Sequence, residues 1–594
     1  YMPQKSSNFI FIGIFFTSCA ALIFEISLTR IFSVSLWYHF AFMVVSIALL
    51  GYGASGSFLM LAPRINGEDL PKYLFYLSII FSISIPVFYV SSNLVPFDPV
   101  KISWDVSQLY YIFFYYLFYS LPFFFAGLII SIALANISAK AHTIYFFDLI
   151  GAATGSIITL FVFSFFSESS AAVFASLIGL VGTVFFQFSC KGKVQKGVIA
   201  LLILPASLLF IQPDFLKVRI SPYKGLIAAL QYPGAHLVKT RWNSYSRLDV
   251  VESPAIRFAP GLSLKYLESL PDQVGFSIDG GNLTAITKYP DNSEKLGFIN
   301  FLPASAPYSM KKDIQNILVL EPGGGLDVLS ASYHGITDIT VMERNRLIVD
   351  LIKDDYDDFS GNIYSKKEVN VEIGEGRNLL KGKSNKYDLI QMSPSNIFAP
   401  ASSVVQGLNE DYRYTEEAFY ELYSHLSEKG LLSITLFLHP PPRAEVRLFN
   451  ILYSSLEKHL TSQSIEQLQK KERLNPEKHF FVFRTWATIT FIIKKEAFLS
   501  TEIEQLKEFC GNLWFDPVYY HGISETELNQ FNSFDKPIYN EIITEIINPE
   551  KRIDFLKRYL FDVSSLTDNK PYFHHFFKWD RLSDVYQSMG DKWL

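Results

Sequence analysis

The amino-acid sequence predicts a multi-pass α-helical membrane domain, then a small β-rich module, then an α/β doubly wound domain. Two observations carry this prediction. Apolar runs long enough to cross a bilayer fill the chain up to about residue 213. After about residue 314, strand patterns alternate with helix patterns, which is typical of a parallel sheet with helices on both faces.

Composition separates the same two parts and excludes some classes of protein. Hydrophobic residues make up 49% of the 594 residues, and a large share of the 54 phenylalanines precedes residue 212. The net charge of -5 gives no indication of a nucleic-acid partner. Cys19, Cys190 and Cys510 lie far apart, without a CxxC pair, so we expect neither a disulfide framework nor a metal site.

Six apolar runs reach about 20 residues, the length that crosses a bilayer. They lie near residues 8–30, 37–62, 72–92, 108–136, 143–166 and 170–189. A seventh run, 197–213, is shorter and has Pro205 near its middle. Residues 1–213 are therefore predicted to form a transmembrane domain with six firm spans and a possible seventh. In the fifth run, Gly151 and Gly155 suit close contact between helices in lipid.

Four ionisable residues lie within the apolar runs. Glu25, Arg30, His39 and Asp148 are expensive to keep at membrane depth unless they pair or line a polar cavity. Three interpretations remain open from the sequence: structural pairing, a pocket that faces a substrate, and placement at the membrane interface.

Basic residues predict the orientation of the chain. They occur at Lys5, in the loops 64–72 and 191–196, and at Lys140. Because loops rich in lysine and arginine stay in the cytoplasm, six spans leave both termini there. We expect an integral protein of a bacterial inner membrane with a cytoplasmic second domain.

The rest of the chain divides into four predicted parts. Residues 214–242 form a basic amphipathic linker, and 243–313 form the β-rich module, built from hairpins such as SRLDVVES and GFSIDGG. Residues 314–500 form the doubly wound domain. Residues 501–594 form a C-terminal extension of helices and aromatic residues.

Strand and helix patterns follow one another in the doubly wound domain. ILVLE, DITVME, VNVEIG, YDLIQM and LLSITLFL are predicted strands, with helices between them. The last of these helices, TEEAFYELYSHLSEKG, is expected to end on Gly430. In such a sheet the ligand lies beyond the carboxyl ends of the strands.

Three features at successive strand ends indicate a nucleotide site. Gly323, Gly324 and Gly325 let the backbone approach a ligand and leave amide groups free at the following helix. Glu343 ends the second strand, where a carboxylate accepts from both hydroxyls of a ribose. Glu375 follows the third strand, where it meets an adenine edge. The alternative is a packed turn with two solvated acids.

These motifs resemble the spermidine synthase family of polyamine aminopropyltransferases. The resemblance covers about residues 243–495, including GGG, VMERN, IGEGRNLL and YDLIQMSPSN, and it looks closest to the membrane-fused branch of that family. It implies a Rossmann-like fold of the S-adenosylmethionine methyltransferase type. It also implies S-adenosylmethionine or decarboxylated S-adenosylmethionine as the nucleotide, held at its ribose by Glu343 and at its adenine by Glu375.

The sequence departs from the family where the amine is bound. The family reads GGGDG, with an acid that faces the aminopropyl tail, whereas this loop reads GGGLD, with Leu326 at that place and Asp327 shifted by one. We nevertheless expect Asp327 to be one of the residues that bind the nucleotide. Ser393 and Asn396 stand where the family has aspartates that bind and deprotonate the amine. Neither side chain is a carboxylate base, although both can orient a substrate.

Two groups nearby offer a substitute base. Asp411 precedes the helix that begins with TEEAF, and His574 lies with Asp568 and His575 in the motif TDNKPYFHHFF. Histidine has the side-chain pKa nearest to neutral pH. The alternatives are a charge at a helix N-terminus for Asp411 and aromatic packing at the membrane surface for His574.

The predicted function is a membrane-bound transferase that uses an S-adenosylmethionine-type nucleotide. It moves an aminopropyl or methyl group to a small amine or an amphipathic, membrane-delivered acceptor other than ordinary putrescine. Membrane lipids are expected partners, nucleic acid is not, and a homodimer is a possible assembly. The alternatives are a transporter or membrane scaffold whose synthase-like domain only binds a ligand, and a catalytically inactive assembly factor.

Overall fold

The computed structural model describes residues 4–36, 40–61, 69–103, 105–191, 196–291, 293–394, 410–466 and 475–589. The chain divides into two compact units. The first comprises Tyr1–Ile227 and Arg241–Arg247, and the second comprises Ala228–Thr240 and Leu248–Leu594.

The first unit is helical. Its helices α1 to α7 span Gln4–Ser35, Ala41–Leu61, Leu70–Leu94, Ser107–Asn136, Ala141–Phe165, Glu168–Lys191 and Lys196–Ile211, and a short helix α8 spans Gly225–Ala229. Within the described residues, the first six are long and apolar enough to cross a membrane. Helix α7 has 16 residues, so it is about 24 Å long and shorter than the hydrocarbon core of about 30 Å.

Helices α1 and α5 pack at backbone distance. A Cβ atom added at Gly151 would lie 2.2 Å from the carbonyl oxygen of Phe15, and one added at Gly155 would lie 2.4 Å from that of Cys19. The expected close contact through these small residues is therefore confirmed. In the same helix pair, the Ser18 hydroxyl donates to the Asp148 carboxylate at 2.5 Å, so this acid within an apolar helix has a polar partner. His39 lies outside the described residues.

A small sheet forms the β-rich module. Its strands are β1 (His236–Trp242), β2 (Arg247–Glu252), β3 (Gln273–Ile278) and β4 (Thr284–Thr287), in the order 1-2-3-4. Strand β1 occupies part of the predicted linker, which is a difference from the sequence analysis. Most of β1 is exposed, so it lacks the alternation of apolar and polar residues by which a half-buried strand is recognised.

A large mixed sheet organises the second unit. Its strands are β5 (Asn316–Leu320), β6 (Asp338–Glu343), β7 (Val369–Ile373), β8 (Tyr387–Met392), β9 (Leu426–Phe437), β10 (Phe480–Arg484), β11 (Thr488–Lys494) and β12 (Asp516–Tyr520). The order is 12-10-11-9-8-5-6-7, and β5 to β9 pair in parallel. Strands β10 to β12 extend this sheet in antiparallel fashion. The predicted fold class is confirmed, and the chain order reverses where β5 pairs with both β6 and β8.

Helices cover the large sheet on both faces. The helices of the second unit are α9 (Ala306–Met310), α10 (Leu326–Tyr333), α11 (Arg346–Asp350), α12 (Asp357–Ser360), α13 (Gly376–Leu380), α14 (Glu416–Ser424), α15 (Ala444–Glu466), α16 (Ser500–Leu513), α17 (Ile538–Ile547), α18 (Pro549–Arg558) and α19 (Leu582–Met589). Neighbouring residues of β5 point to opposite faces. Ile317 belongs to the apolar cluster with α10, α11 and α16, whereas Leu318 belongs to the cluster with α14, α15 and α17.

The end of α14 differs from the prediction. The helix ends at Ser424, and β9 begins at Leu426, so the expectation that it continues to Gly430 is wrong. An irregular pairing with β8 explains the difference, because Tyr387 lies opposite Leu426 and Leu389 lies opposite Leu431. An added Cβ at Gly430 would lie 2.8 Å from the Tyr387 carbonyl oxygen. The glycine therefore serves this bulge and not a helix cap.

Candidate active site

A cleft lies at the carboxyl ends of β5, β8 and β9, where the strand order reverses. It encloses about 1060 Å³, including its open mouth, and its lining includes Glu321, Ser393 and Thr435 from the strand ends. Residues of α13 and α14 and of the C-terminal extension complete the wall. This is the position at which ligands bind in open α/β sheets.

The glycine loop joins β5 to α10 in a conformation that favours glycine. Gly323 has φ 56° and Gly325, which caps α10, has φ 83°. Gly324 has a different reason to lack a side chain. An added Cβ there would lie 1.9 Å from the carbonyl oxygen of Ala285 on β4. The β-rich module therefore packs directly on the loop backbone, which the sequence analysis did not foresee.

Glu343 lies at the end of β6, as the sequence predicts, and its surroundings are unusual for an acid. The side chain is 3% exposed, and the carboxylate accepts from the Asn345 backbone N–H at 2.8 Å. Burial, together with the nearby Glu321 carboxylate, raises the pKa of Glu343 to about 8. Burial therefore favours the protonated form of this carboxyl group, whereas a ligand or a cation that donates to it would favour the ionised form.

Glu375 lies at the end of the next strand along the sheet. It is half-buried, precedes α13 as its N-cap residue, and accepts from the Asn378 amide at 2.9 Å. Gly374 donates its N–H to the Glu343 carbonyl at 3.0 Å, which keeps the ends of β6 and β7 together. The three features predicted to bind a nucleotide thus lie at the ends of three neighbouring strands.

Asp327 and Ser393, predicted for different roles, are hydrogen-bonded to each other. The Ser393 hydroxyl donates to Asp327 Oδ1 at 2.8 Å, and Gln391 Nε2 donates to the same oxygen at 3.0 Å. Asp327 is 3% exposed. Burial raises its pKa to about 6, although the hydrogen bonds from Ser393 and Gln391 oppose this rise. The loop acid therefore stands beside the position at which the family has an aspartate.

Asp411 forms a buried ion pair. It is 7% exposed, and the Arg413 guanidinium meets it with Nε–Oδ1 at 2.7 Å and Nη2–Oδ2 at 2.5 Å. Arg413 also pairs with Glu321 in the cleft wall. Burial alone would raise the pKa of Asp411, but the charge of Arg413 prevails and holds it below its ordinary value. Asp411 is therefore ionised and bound to a cation at neutral pH.

His574 lines the cleft, and Arg447 holds the segment that carries it. The buried Arg447 guanidinium donates to the backbone carbonyl groups of Tyr572, Phe573 and His575, at 3.0, 2.7 and 2.8 Å. Burial lowers the pKa of His574 to about 4, against the opposing charge of Asp411. The imidazole is therefore neutral at neutral pH.

A second arginine of the cleft wall is held by two carboxylates. Arg377 contacts Glu421 with Nε–Oε2 at 2.9 Å and Nη2–Oε1 at 3.1 Å, and its Nη1 contacts Asp568 Oδ1 at 2.7 Å. The Thr415 hydroxyl also donates to Asp568 at 2.8 Å. Asp568, which the sequence offered as an alternative base, thus belongs to an ion-pair network.

Several residues of the site were missed by the sequence analysis, and one predicted residue lies outside the described chain. Asn396 falls between residues 394 and 410, in a segment that the structure does not describe. Arg377 stands inside the motif IGEGRNLL, and Arg413 lies two residues before the helix sequence TEEAF, so the charge of both was visible in the sequence. The sequence around Arg447 gave no such signal, because nothing in its helix indicates contact with residues more than 100 positions away.

Comparison with known proteins shows sequence similarity over part of the chain. A scan against protein-family models finds no match. The chain is 28% identical over 127 residues to the polyamine aminopropyltransferases of Lachnoclostridium phytofermentans and Clostridium botulinum. In both cases the match covers 21% of this chain and 41% of the relative, so the chain matches less than half the length of these relatives. The predicted resemblance to this family is confirmed at that level.

Solved structures of spermidine synthases are also similar. The enzyme of Thermotoga maritima is 14% identical and aligns with a TM-score of 0.30 over 52% of this chain and 82% of that chain. A spermidine synthase in complex with the transition-state analogue AdoDATO is 14% identical, with a TM-score of 0.31 over 52% of this chain and 87% of that chain. Because these scores are low, the fold assignment rests on the strand order given above.

Proposed function

We propose that the chain is a membrane-bound transferase that binds an S-adenosylmethionine-type nucleotide and alkylates an amphipathic or membrane-delivered acceptor. One observation carries the proposal. The glycine loop and the two acids Glu343 and Glu375 follow β5, β6 and β7, beside a cleft at the reversal of strand order. This arrangement suits an adenosine whose ribose meets Glu343, whose adenine meets Glu375 and whose tail passes the glycine loop.

The acceptor is proposed to differ from putrescine. A short diamine carries two positive charges near neutral pH, because an alkylammonium has a pKa of about 10, so it needs carboxylates free to receive both. Asp411, Glu421 and Asp568 are each bound to an arginine. Ser393 supplies a hydroxyl where the family has an acid. An acceptor with one amine and an apolar body fits this wall better.

Nucleotide binding tests the proposal. The full chain, purified in detergent, is titrated with decarboxylated S-adenosylmethionine, S-adenosylmethionine and methylthioadenosine by calorimetry. We expect binding of at least one of the first two, competed by methylthioadenosine. Glu368→Ala, an exposed acid outside the site, serves as the control variant. Absence of binding for all three would contradict the proposal.

Transfer tests the acceptor. Nucleotide labelled in the aminopropyl chain or in the methyl group is incubated with the protein and either a total membrane extract or putrescine. We expect label in an organic-soluble product from the extract and little spermidine from putrescine. Robust turnover of putrescine would contradict the acceptor part of the proposal.

A non-catalytic ligand-binding domain is a second candidate, and Ser393 is the observation that favours it. An alkyl transfer to an amine needs a group that takes its proton, and a serine hydroxyl is a poor base. Tight nucleotide binding without transfer of label to any component of the membrane extract would favour a transporter or scaffold with a regulatory domain.

A cytoplasmic position of the second unit is also proposed, from the basic loops and the short helix α7. Ser384 is exposed, and Cys190 is the partly exposed native cysteine, whereas Cys19 and Cys510 are buried. In a Cys190→Ser background, Ser384→Cys should resist a membrane-impermeant thiol reagent in intact cells and react after lysis. Ready labelling in intact cells would place this unit on the other side of the membrane.

A further inference from the structure

A smaller pocket adjoins the cleft. It spans about 380 Å³ when its opening to solvent is included, and Ser393, Pro394 and Thr435 line both cavities. Its other walls are apolar and come from the entry of the β-rich module, from the loop before α9 and from the glycine loop; they include Phe258, Pro260, Leu302, Pro303 and Leu326. Among the described residues of this lining, Asp327 alone carries a charge.

The Asp327 carboxylate is fixed in position, and no basic side chain among the described residues pairs with it. The Ser393 hydroxyl and the Gln391 amide both donate to Oδ1, and Tyr308 donates in turn to Gln391 Oε1 at 3.0 Å. The ion pairs described for this chain do not include Asp327. A buried carboxylate is costly unless a cation joins it. The pocket therefore offers one negative charge at the base of an apolar wall.

We propose that this pocket binds the acceptor as a primary alkylamine, with its ammonium group on Asp327 and its hydrocarbon chain against Phe258, Pro303 and Leu326. The assignment deepens the proposed function and rests on it for the reaction. A diamine would place its second charge against the apolar wall, which explains the selection against putrescine. Since Ser393 belongs to both cavities, the amine stands across it from the nucleotide's side of the site.

The reaction then needs no further base. The ammonium gives a proton to the Asp327 carboxylate and becomes an amine. Its lone pair attacks the carbon bonded to the sulfonium of the nucleotide. The C–N bond forms while the C–S bond breaks, and the bonding electrons stay on sulfur as a neutral thioether. The new secondary ammonium carries the positive charge, and the proton on Asp327 passes to solvent.

Binding of three probes of equal length tests the pocket on the full chain in amphipol. They are n-octylamine, 1,8-diaminooctane and 1-octanol, which carry one, two and no charges. We expect n-octylamine to bind at least tenfold more tightly than the other two. Equal affinity for n-octylamine and 1-octanol would overturn the inference, because Asp327 would then contribute nothing.

Variants of the pocket residues test which side chains cause the preference for n-octylamine. Asp327→Asn should remove the preference for n-octylamine over 1-octanol, while the affinity for methylthioadenosine changes less than twofold. Phe258→Ala should remove the gain from n-butylamine to n-octylamine but leave the preference for a charge. Asp358→Asn, at an exposed acid, serves as the control.

An unchanged preference for n-octylamine over 1-octanol in Asp327→Asn would overturn the inference and leave the nucleotide proposal intact. A preference for n-octylamine in a wild-type protein that fails to bind methylthioadenosine would support the amine pocket and contradict the proposed function.

Discussion

The two halves of the sheet edge are built differently. On the half proposed to bind the nucleotide, at the ends of β5 to β7, each predicted site residue stands directly at a strand end, within a short motif. On the acceptor half, contacts join distant segments: Arg413 and Glu321 are 92 residues apart, Arg447 and Phe573 are 126 apart, and Arg377 and Asp568 are 191 apart. The residues of the first half therefore lie in short, continuous sequence motifs, whereas those of the second half are far apart in the chain and are brought together by folding.

Two groups of acids near this sheet edge differ in how their charges are balanced. Burial raises the pKa of Glu343 to about 8 and that of Asp327 to about 6, and neither acid is described in an ion pair. By contrast, hydrogen bonds from Arg377 lower the pKa of Asp568, and Arg413 lowers that of Asp411 against its burial. In the part of the chain that the structure describes, the two proposed ligand-binding acids form no ion pair, whereas the two acids of the cleft wall are each bound to an arginine.

Loss of Arg413 should have the largest effect and should fall on stability. Arg413→Met leaves Asp411 and Glu321 without their shared cation, and breaking a buried pair in this way costs about 3–5 kcal/mol. Denaturant unfolding in detergent measures the loss. The control is Arg346→Met, since Arg346 is 74% exposed and its pair with Asp350 should contribute at most about 1 kcal/mol. Equal stability of the two variants would remove the contrast between the halves.

How far the sequence predicts the molecule follows from this contrast. The six apolar spans, the alternation of strands and helices around GGG and the position of Glu343 at a strand end follow from apolar length, periodicity and motifs. The helix predicted to reach Gly430 failed because the glycine serves a bulge opposite Tyr387, and only strand pairing shows this. The role of Arg447 could not be predicted, because its partners are backbone carbonyl groups, which leave no trace in the sequence.

The nucleotide half is tested by Glu343→Ala. A hydrogen bond to a charged group is worth about 1.5–3 kcal/mol, so the variant should bind an adenosine-type ligand more weakly by that amount. Calorimetric titration measures the change, with Glu368→Ala as the control, which should bind like the wild type. Stability should change less than in Arg413→Met, because Glu343 forms no ion pair among the described residues and its removal breaks none. Equal affinity in wild type and Glu343→Ala would exclude Glu343 from the site.

The pH dependence of nucleotide affinity should show the smallest effect. It tests most directly whether the pKa of Glu343 is raised in the free protein. The groups that bear on Glu343 are Glu321, which raises its pKa, and Arg344 and Arg413, which lower it, with the main rise to about 8 due to burial. Ribose hydroxyls donate to the ionised carboxylate and so lower its pKa in the complex. Binding must therefore release a proton, and affinity must rise with pH up to about 8.

Below that pH the rise should be at most about tenfold per unit, or about 1.4 kcal/mol, because one proton is released per ligand bound. Calorimetry of methylthioadenosine between pH 6 and 9, in pairs of buffers with different ionisation enthalpies, measures both the affinity and the proton release. Glu343→Gln keeps the acceptor oxygen for Asn345 and removes the titration, so its affinity should not vary through this group. A wild-type affinity that is flat over this range would mean that Glu343 is already ionised in the free protein. Glu343 would then be ionised in the free protein, as Asp411 is, and the contrast between the two groups of acids would be lost.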